Sequence, residues 1–211
     1  MRQAPTSAAL SIFLIRHAKS LSNASNVWTG QRDVPLSPEG EREQRQLCER
    51  FCYPRAELYF SSPLARCTQS FEIIYGRQAL RLLPSLCECS LGVLEGEPYT
   101  NLDDDPKYCA WLAAPELPLS GGESFNGFTR RACAGFEELL AKVLAEGIQS
   151  AAGVMHGNVM RALLHRFADE SIAHGAWQIP NGGMYELSFD AAGRCRKWRA
   201  APGFLFSKAR T

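Results

Sequence analysis

The stretch SIFLIRHAKS, residues 11–20, joins a short apolar run to an arginine and a histidine that stand side by side. Residues 11–15 have the length and composition of a short buried strand. That strand leads into Arg16 and His17, and open parallel sheets bind their ligands beyond the carboxyl ends of the strands. The stretch therefore predicts an α/β fold in which Arg16 and His17 lie at the binding edge of the sheet.

Strand-like and helix-like segments alternate through the rest of the sequence. Strands are predicted at residues 57–60, 151–155, 184–189 and 195–199. Two helices are predicted with serine N-caps: residues 38–52 after Ser37, and a helix that runs from Ser62 to residue 75. Further helices are predicted for a short segment at 107–113, from residue 125 through the apolar positions up to 143, and at 156–168. The alternation favours a three-layer α/β/α architecture with a mostly parallel central sheet.

Length and composition indicate one domain. The chain has 211 residues and is 45% hydrophobic, which is enough for a single sizeable core over residues 1–211. Residues 91–120 contain several glycines and prolines, and we expect this segment to form a small cap over the active face. Lys and Arg number 23 against 22 for Asp and Glu, so the net charge gives no reason to expect a nucleic acid or membrane partner.

The apolar run at residues 8–15 is too short to span a membrane and has no signal-peptide cleavage pattern, so we expect a cytoplasmic protein. The eight cysteines show no Cys-x-x-Cys spacing, which favours reduced thiols over metal ligands. No cofactor is expected. The sequence leaves open whether the chain forms a homodimer.

Basic side chains follow three of the predicted strands: Arg16 with His17, then Arg66, then His156. Two guanidinium groups and the start of a helix at Gly157 suit the oxygens of a phosphoryl group. One imidazole can then attack phosphorus while the other stabilises charge on the transferred group, without a metal ion. Taken alone, each residue also has a simpler interpretation, such as a polar strand end, a hydrogen-bonded turn or a solvated helix position.

In combination these segments resemble the histidine phosphatase superfamily, also called phosphoglycerate-mutase-like, over residues 13–187. The triplet Arg16-His17-Ala18 is similar to the family's Arg-His-Gly motif, which implies that His17 becomes phosphorylated. The alanine in place of glycine could crowd a backbone that approaches phosphate. SSPLARC, residues 61–67, is similar to the segment that supplies the second family arginine, here Arg66.

Two later segments continue the resemblance. LCECSLGVLEG, residues 86–96, implies that Glu88 is the proton donor, and GVMHGNVMRALL, residues 153–164, implies that His156 is the second active-site histidine. The resemblance also implies a set of phosphate- and substrate-binding residues: Asn23, Thr29, Gly30, Gly157 and Asn158.

Three functions are compatible with this resemblance. The first is a metal-independent phosphomonoester phosphatase that acts through phosphohistidine on a small phosphorylated metabolite, with alpha-ribazole phosphate as one candidate. The second is a cofactor-dependent phosphoglycerate mutase. The third is a member that binds a phosphorylated ligand without turnover.

The phosphatase is favoured because residues 107–119 contain no arginine to hold a glycerate carboxylate, and because LSGGES at 119–124 is similar to a segment of phosphatases in the family. Intact catalytic residues argue against a member without turnover. The cap also contains aromatic and apolar side chains, which indicate a substrate with an apolar or ring-bearing body: Tyr99, Tyr108, Trp111 and Leu112.

Overall fold

Six strands form one mixed sheet in a computed structural model that describes residues 10–99 and 106–201. The strands are β1 (Leu10–Arg16), β2 (Leu58–Ser61), β3 (Arg81–Leu82), β4 (Ser150–Met155), β5 (Met184–Phe189) and β6 (Cys195–Ala200). Their spatial order is β3-β2-β4-β1-β5-β6. The four strands from β3 to β1 are parallel, whereas β5 and β6 are antiparallel to their neighbours. The prediction of a mostly parallel sheet is confirmed.

Within residues 10–99 and 106–201, six α-helices accompany the sheet. They are α1 (Leu21–Ala24), α2 (Pro38–Arg50), α3 (Ala65–Tyr75), α4 (Pro106–Ala113), α5 (Phe125–Ala145) and α6 (Gly157–Leu163), which a π-helical turn continues through Leu164–Ala168. Short 3₁₀ turns occur at Pro84–Leu86, Gly92–Leu94 and His174–Ala176. No helix in the described part of the chain is long and apolar enough to cross a membrane.

Both faces of the sheet are buried, as the strand sequence requires. In β1 the side chains of Leu10, Ile12 and Leu14 pack into one hydrophobic cluster, which includes the apolar face of α5. The intervening Phe13 and Ile15 pack into a second cluster with residues of α3. Because successive strand residues point to opposite faces, this division shows helices covering the sheet on both sides, as expected for three layers.

Two predicted helix boundaries need correction. The helix that begins at Pro38 has Ser37 as its N-cap, as predicted, but ends at Arg50 because the backbone of Phe51 is extended. Ser62 does not cap α3, which begins at Ala65. The carboxylate of Asp33 accepts the amide of Ala65 at 2.7 Å instead, from a distant part of the chain.

Part of the predicted cap is described. Residues 100–105 of the cap, together with residues 1–9 and 202–211 of the predicted domain, lie outside the described residues. Within the cap, α4 lies where a short helix was predicted. Trp111 of α4 is 4% exposed and donates its indole N–H to the carbonyl of Glu123, so it fastens the cap to the domain.

Candidate active site

The carboxyl ends of β1 and β4 place two histidines side by side. The two strands are parallel neighbours with Arg16 opposite Met155, so the residue after each strand end, His17 or His156, enters the same space. Their ring centroids are 5.3 Å apart, and both side chains are buried. The predicted convergence of these histidines is therefore present in the fold.

The hydrogen bonding of His17 defines its tautomer. Nδ1 lies 2.6 Å from the carbonyl oxygen of Ala18, which can only accept, so Nδ1 carries the proton and Nε2 keeps a lone pair. Burial, and then the charges of Arg66 and Arg16, hold the pKa of His17 well below its usual value. His17 is consequently neutral at pH 7, which is the form that a nucleophile needs.

His156 is fully buried and contacts Ser62, the residue predicted to cap α3. Its Nε2 is 2.8 Å from the Ser62 hydroxyl, and the sulfur of Cys67 is 3.5 Å from the same nitrogen. Burial and the charge of Arg66 hold the pKa of His156 well below its usual value. Ser62 orients an active-site imidazole, and this contact explains why it is not an N-cap.

The two predicted arginines are attached to separate backbone segments. Arg66 is 1% exposed and donates to the carbonyls of Gly30 and Arg32, each at 2.9 Å. Arg16 donates to the carbonyl of Ile179, while its buried Nε has no hydrogen-bond partner among the residues that the structure describes. Burial, followed by the nearby charge of Arg161, lowers the pKa of Arg16 to about 10, which leaves it charged at pH 7.

Glu88 reaches the same space from the segment after the 3₁₀ turn at Pro84–Leu86. One carboxylate oxygen accepts the amide of Cys89 at 2.9 Å, and the other accepts the amide of Asn158 at 3.3 Å. The second contact joins Glu88 to the first turn of α6. The carboxyl group is therefore held beside the histidines, where it can exchange a proton with a ligand.

Arg131, which the sequence analysis missed, holds the backbone around Glu88. Its guanidinium donates to the carbonyls of Ser85, Cys87 and Glu88 at 2.8–3.2 Å. It also forms a 2.7 Å ion pair with Glu123. Because five N–H donors in a rigid fork suit this many acceptors, an arginine can fix the whole turn that carries Glu88.

A cavity of about 130 Å³ lies between Arg16, His17, Arg66 and Glu88, whereas His156 and Arg131 are not among its lining residues. Every predicted phosphate- or substrate-binding residue lines it: Asn23, Thr29, Gly30, Gly157 and Asn158. Gly30 has φ +51°, and a Cβ there would fall against the Glu95 carboxylate, so glycine is required for both its conformation and its size. An open groove of about 470 Å³ elsewhere, beside α5, is larger but contains none of the predicted site residues.

The cavity also contains Arg161, which no motif singled out. Its Nη1 donates to the side-chain oxygen of Asn158 at 3.2 Å, and its Nε donates to the carbonyl of Trp177 at 3.3 Å. Arg161 follows Asn158 by three positions, and residues at this spacing share one face of a helix. That spacing in the sequence was a signal from which Arg161 could have been found.

Aromatic and apolar side chains complete the lining. Tyr99 and Tyr108 are among them, as the cap composition indicated, whereas Trp111 is a core residue. Sequence reasoning missed three other lining residues: Val27, Trp28 and Leu91.

Ala18 occupies its position without backbone strain. Its amide donates to the hydroxyl of Ser70 at 2.8 Å. Among the non-glycine residues that the structure describes, Asn26 alone has a positive φ, so Ala18 does not need the conformational freedom of glycine. The same described residues contain no group of three His, Cys, Asp or Glu side chains arranged to hold a metal ion.

Comparison with known proteins gives a consistent result. The model of the histidine phosphatase superfamily (branch 1) matches residues 12–200. A 2,3-bisphosphoglycerate-dependent phosphoglycerate mutase of Cytophaga hutchinsonii is 28% identical over 84% of the chain and 87% of its own length. A broad-specificity phosphatase of Saccharomyces cerevisiae is 28% identical over 72% of the chain and 68% of its own length. The crystal structure of the alpha-ribazole phosphatase from Shigella flexneri has the same fold, with a TM-score of 0.76, 20% identity, and coverage of 95% of this chain and 100% of that one.

Proposed function

Because the chain belongs to the histidine phosphatase superfamily, we propose that it is a metal-independent phosphatase that hydrolyses small phosphate monoesters through a phosphohistidine on His17. The observation that carries this proposal is the pairing of a neutral His17, whose Nε2 keeps its lone pair, with the charged Arg16 and Arg66 in one cavity. The expected setting is the cytoplasm, with a small-molecule monoester as the partner.

In the first half-reaction Nε2 of His17 attacks phosphorus, the P–N bond forms, and the bond to the leaving oxygen breaks. As the general acid, the carboxyl group of Glu88 gives a proton to that oxygen, because an alkoxide is too basic to leave unaided. Arg16 and Arg66 stabilise the charge on the transferred phosphoryl group. His156 packs beside His17, with ring centroids 5.3 Å apart, and its Nε2 contacts the Ser62 hydroxyl.

In the second half-reaction the carboxylate of Glu88 takes a proton from water, and the resulting hydroxide attacks phosphorus. The P–N bond breaks, and inorganic phosphate leaves with His17 restored to its neutral form. The arginines stabilise the phosphoryl charge in both half-reactions, so the proposed mechanism uses no metal ion. Dialysis against a chelator should leave turnover unchanged, and a loss of turnover that added magnesium or zinc restores would contradict this part of the proposal.

Phosphoglycerate mutase is the second candidate function. Arg161 adds a third guanidinium to the cavity, and a glycerate carboxylate could pair with it. Hydrolysis is favoured because Arg161 already donates to Asn158 and to the Trp177 carbonyl, and because residues 107–119 supply no arginine. Alpha-ribazole phosphate stays one candidate substrate for the hydrolytic reaction.

The test is a direct comparison of the two reactions. Inorganic phosphate release is measured with p-nitrophenyl phosphate and a panel of phosphorylated metabolites, beside interconversion of phosphoglycerates with and without bisphosphoglycerate. We expect hydrolysis of several monoesters to exceed isomerisation. Isomerisation faster than every hydrolysis would establish the mutase, and tight binding of monoesters without either reaction would establish a member without turnover.

A further inference from the structure

Three aromatic side chains form one wall of the active-site cavity. We call Trp28, Tyr99 and Tyr108 the aromatic wall. The ring of Trp28 lies 5.1 Å from that of Tyr99 and 4.9 Å from that of Tyr108, measured between centroids. Trp28 is 4% exposed, and the two tyrosines are half-buried. All three side chains line the cavity, and the tyrosines are more exposed than Trp28.

Backbone pairing holds the wall in place. The amide of Trp28 donates to the carbonyl of Glu97 at 2.9 Å, the carbonyl of Trp28 accepts from Gly96 at 2.8 Å, and the amide of Tyr99 donates to the carbonyl of Asn26 at 2.9 Å. Trp28 and Tyr99 are thus fixed on two paired segments. A preformed aromatic surface binds a ligand without a large cost for ordering its own side chains.

The wall begins next to the phosphate-binding groups. Tyr99 and Tyr108 line the same cavity as Arg16, and Tyr99 lies near enough to interact electrostatically with the Arg16 guanidinium. The cavity measures about 130 Å³, whereas pockets that enclose a whole small-molecule ligand measure roughly 300–1,000 Å³. With the phosphoryl group at Arg16, the remaining volume admits only the part of the alcohol that lies close to the ester oxygen.

Accordingly, we propose that the aromatic wall selects phosphate monoesters whose alcohol carries a planar aromatic ring within a few bonds of the ester oxygen. The ring stacks on Tyr99 and Tyr108 while the phosphoryl group lies between the arginines. Aromatic rings stack on one another more favourably than their buried area alone provides. This inference rests on the proposed phosphatase function and assigns its substrate class.

A matched pair of substrates separates stacking from simple hydrophobic contact. 2-Phenylethyl phosphate and 2-cyclohexylethyl phosphate have alcohols of nearly equal basicity and similar size, and only the first carries a planar ring. We expect kcat/KM for the phenyl compound to exceed that for the cyclohexyl compound by about 2-fold to 12-fold, the range that one aromatic pair provides. A ratio near one in the unmodified protein would overturn the proposal.

Variants then locate the effect. Tyr99→Leu and Tyr108→Leu should each bring the phenyl-to-cyclohexyl ratio of kcat/KM toward one. Phe51→Leu is the matched control, because Phe51 is half-buried, packs on Tyr53 and does not line the cavity; its ratio should equal that of the unmodified protein. A ratio that both tyrosine variants leave unchanged would overturn the assignment to the wall. If neither substrate nor p-nitrophenyl phosphate is hydrolysed at all, the proposed function itself fails.

Discussion

Replacing Glu88 by glutamine should separate two effects that differ in size. Glutamine retains the shape of the glutamate side chain, and its side-chain oxygen can still accept from the amide of Cys89. The amide nitrogen of glutamine would face the amide of Asn158, so the 3.3 Å hydrogen bond at that position is lost. One such hydrogen bond contributes about 0.5–1.5 kcal/mol, which corresponds to roughly a 2-fold to 12-fold decrease in rate. This decrease is common to all substrates.

The effect of losing the Glu88 proton on the rate depends on the leaving group. General acid catalysis typically contributes about 10² to 10⁴ in rate, and the alkoxide of 2-phenylethanol needs all of it. p-Nitrophenolate is a weak base and leaves with little help. In Glu88→Gln we therefore expect phosphoenzyme formation to slow by about 10² to 10⁴ more for 2-phenylethyl phosphate than for p-nitrophenyl phosphate.

Rapid-quench single turnover is the appropriate assay, because the steady-state rate also depends on the activation of water by Glu88 in the second half-reaction. Glu95→Gln is the matched control: its carboxylate accepts backbone amides of Gln31, Arg32 and Leu91 and does not line the cavity. The control should change both single-turnover rates by the same factor. An equal fall for both substrates in Glu88→Gln would refute the assignment of Glu88 as the acid.

Three further predictions concern the nucleophile, the backbone support and the buried histidines. His17→Ala should lower turnover by at least ~10⁴ and abolish acid-labile, base-stable phosphate trapped by rapid quench; label that maps to His156 would reverse the roles. Arg131→Leu leaves the Glu123 carboxylate unpaired, so urea unfolding should show a loss of about 1–3 kcal/mol, and single-turnover phosphoryl transfer from 2-phenylethyl phosphate should slow even where the variant is fully folded. Burial holds the pKa of His17 and His156 well below 6.5 and that of His174 at about 4, so below pH 6.5 the unfolded chain binds protons that the folded chain does not. The contribution of these histidines to the free energy of unfolding is therefore fully present above pH 6.5, and it falls as the pH drops by up to about 1.4 kcal/mol per pH unit for each histidine. His174→Phe should reduce that slope. Unfolding free energies that do not change between pH 7, 6 and 5 would contradict this.

The sequence was sufficient to predict the parts of the molecule that follow from local pattern. The mostly parallel sheet follows from the alternation of strand-like and helix-like segments, and the position of α5 follows from apolar periodicity. The junction after β1 brings His17 into the site next to His156. These predictions succeed because burial on both faces of a central strand leaves one consistent arrangement.

Predictions failed where a contact joins distant parts of the chain. Ser62 precedes a helix and has the chemistry of an N-cap, but its hydroxyl contacts His156, 94 positions away. Asp33 supplies the hydrogen bond at the start of α3 instead. Arg131 holds the carbonyl of Glu88 from 43 positions away. Local rules cannot identify such partners, because each depends on which segments the completed fold brings together.

Burial lowers the pKa of both kinds of basic side chain in the site, but at pH 7 it leaves the histidines neutral and Arg16 charged. The same removal from water that makes His17 neutral and nucleophilic lowers the pKa of Arg16 to about 10. At pH 7 a group with that pKa is still charged in all but about one molecule in a thousand. A lysine at position 16 begins near 10.4, and an equal shift would bring its pKa to about 8, where roughly a tenth of the molecules would lack the charge. It would also lack the fork that binds two phosphate oxygens. A guanidinium group in this desolvated cavity therefore keeps its positive charge more completely than an ammonium group would, and it presents a fork of donors to the phosphoryl dianion.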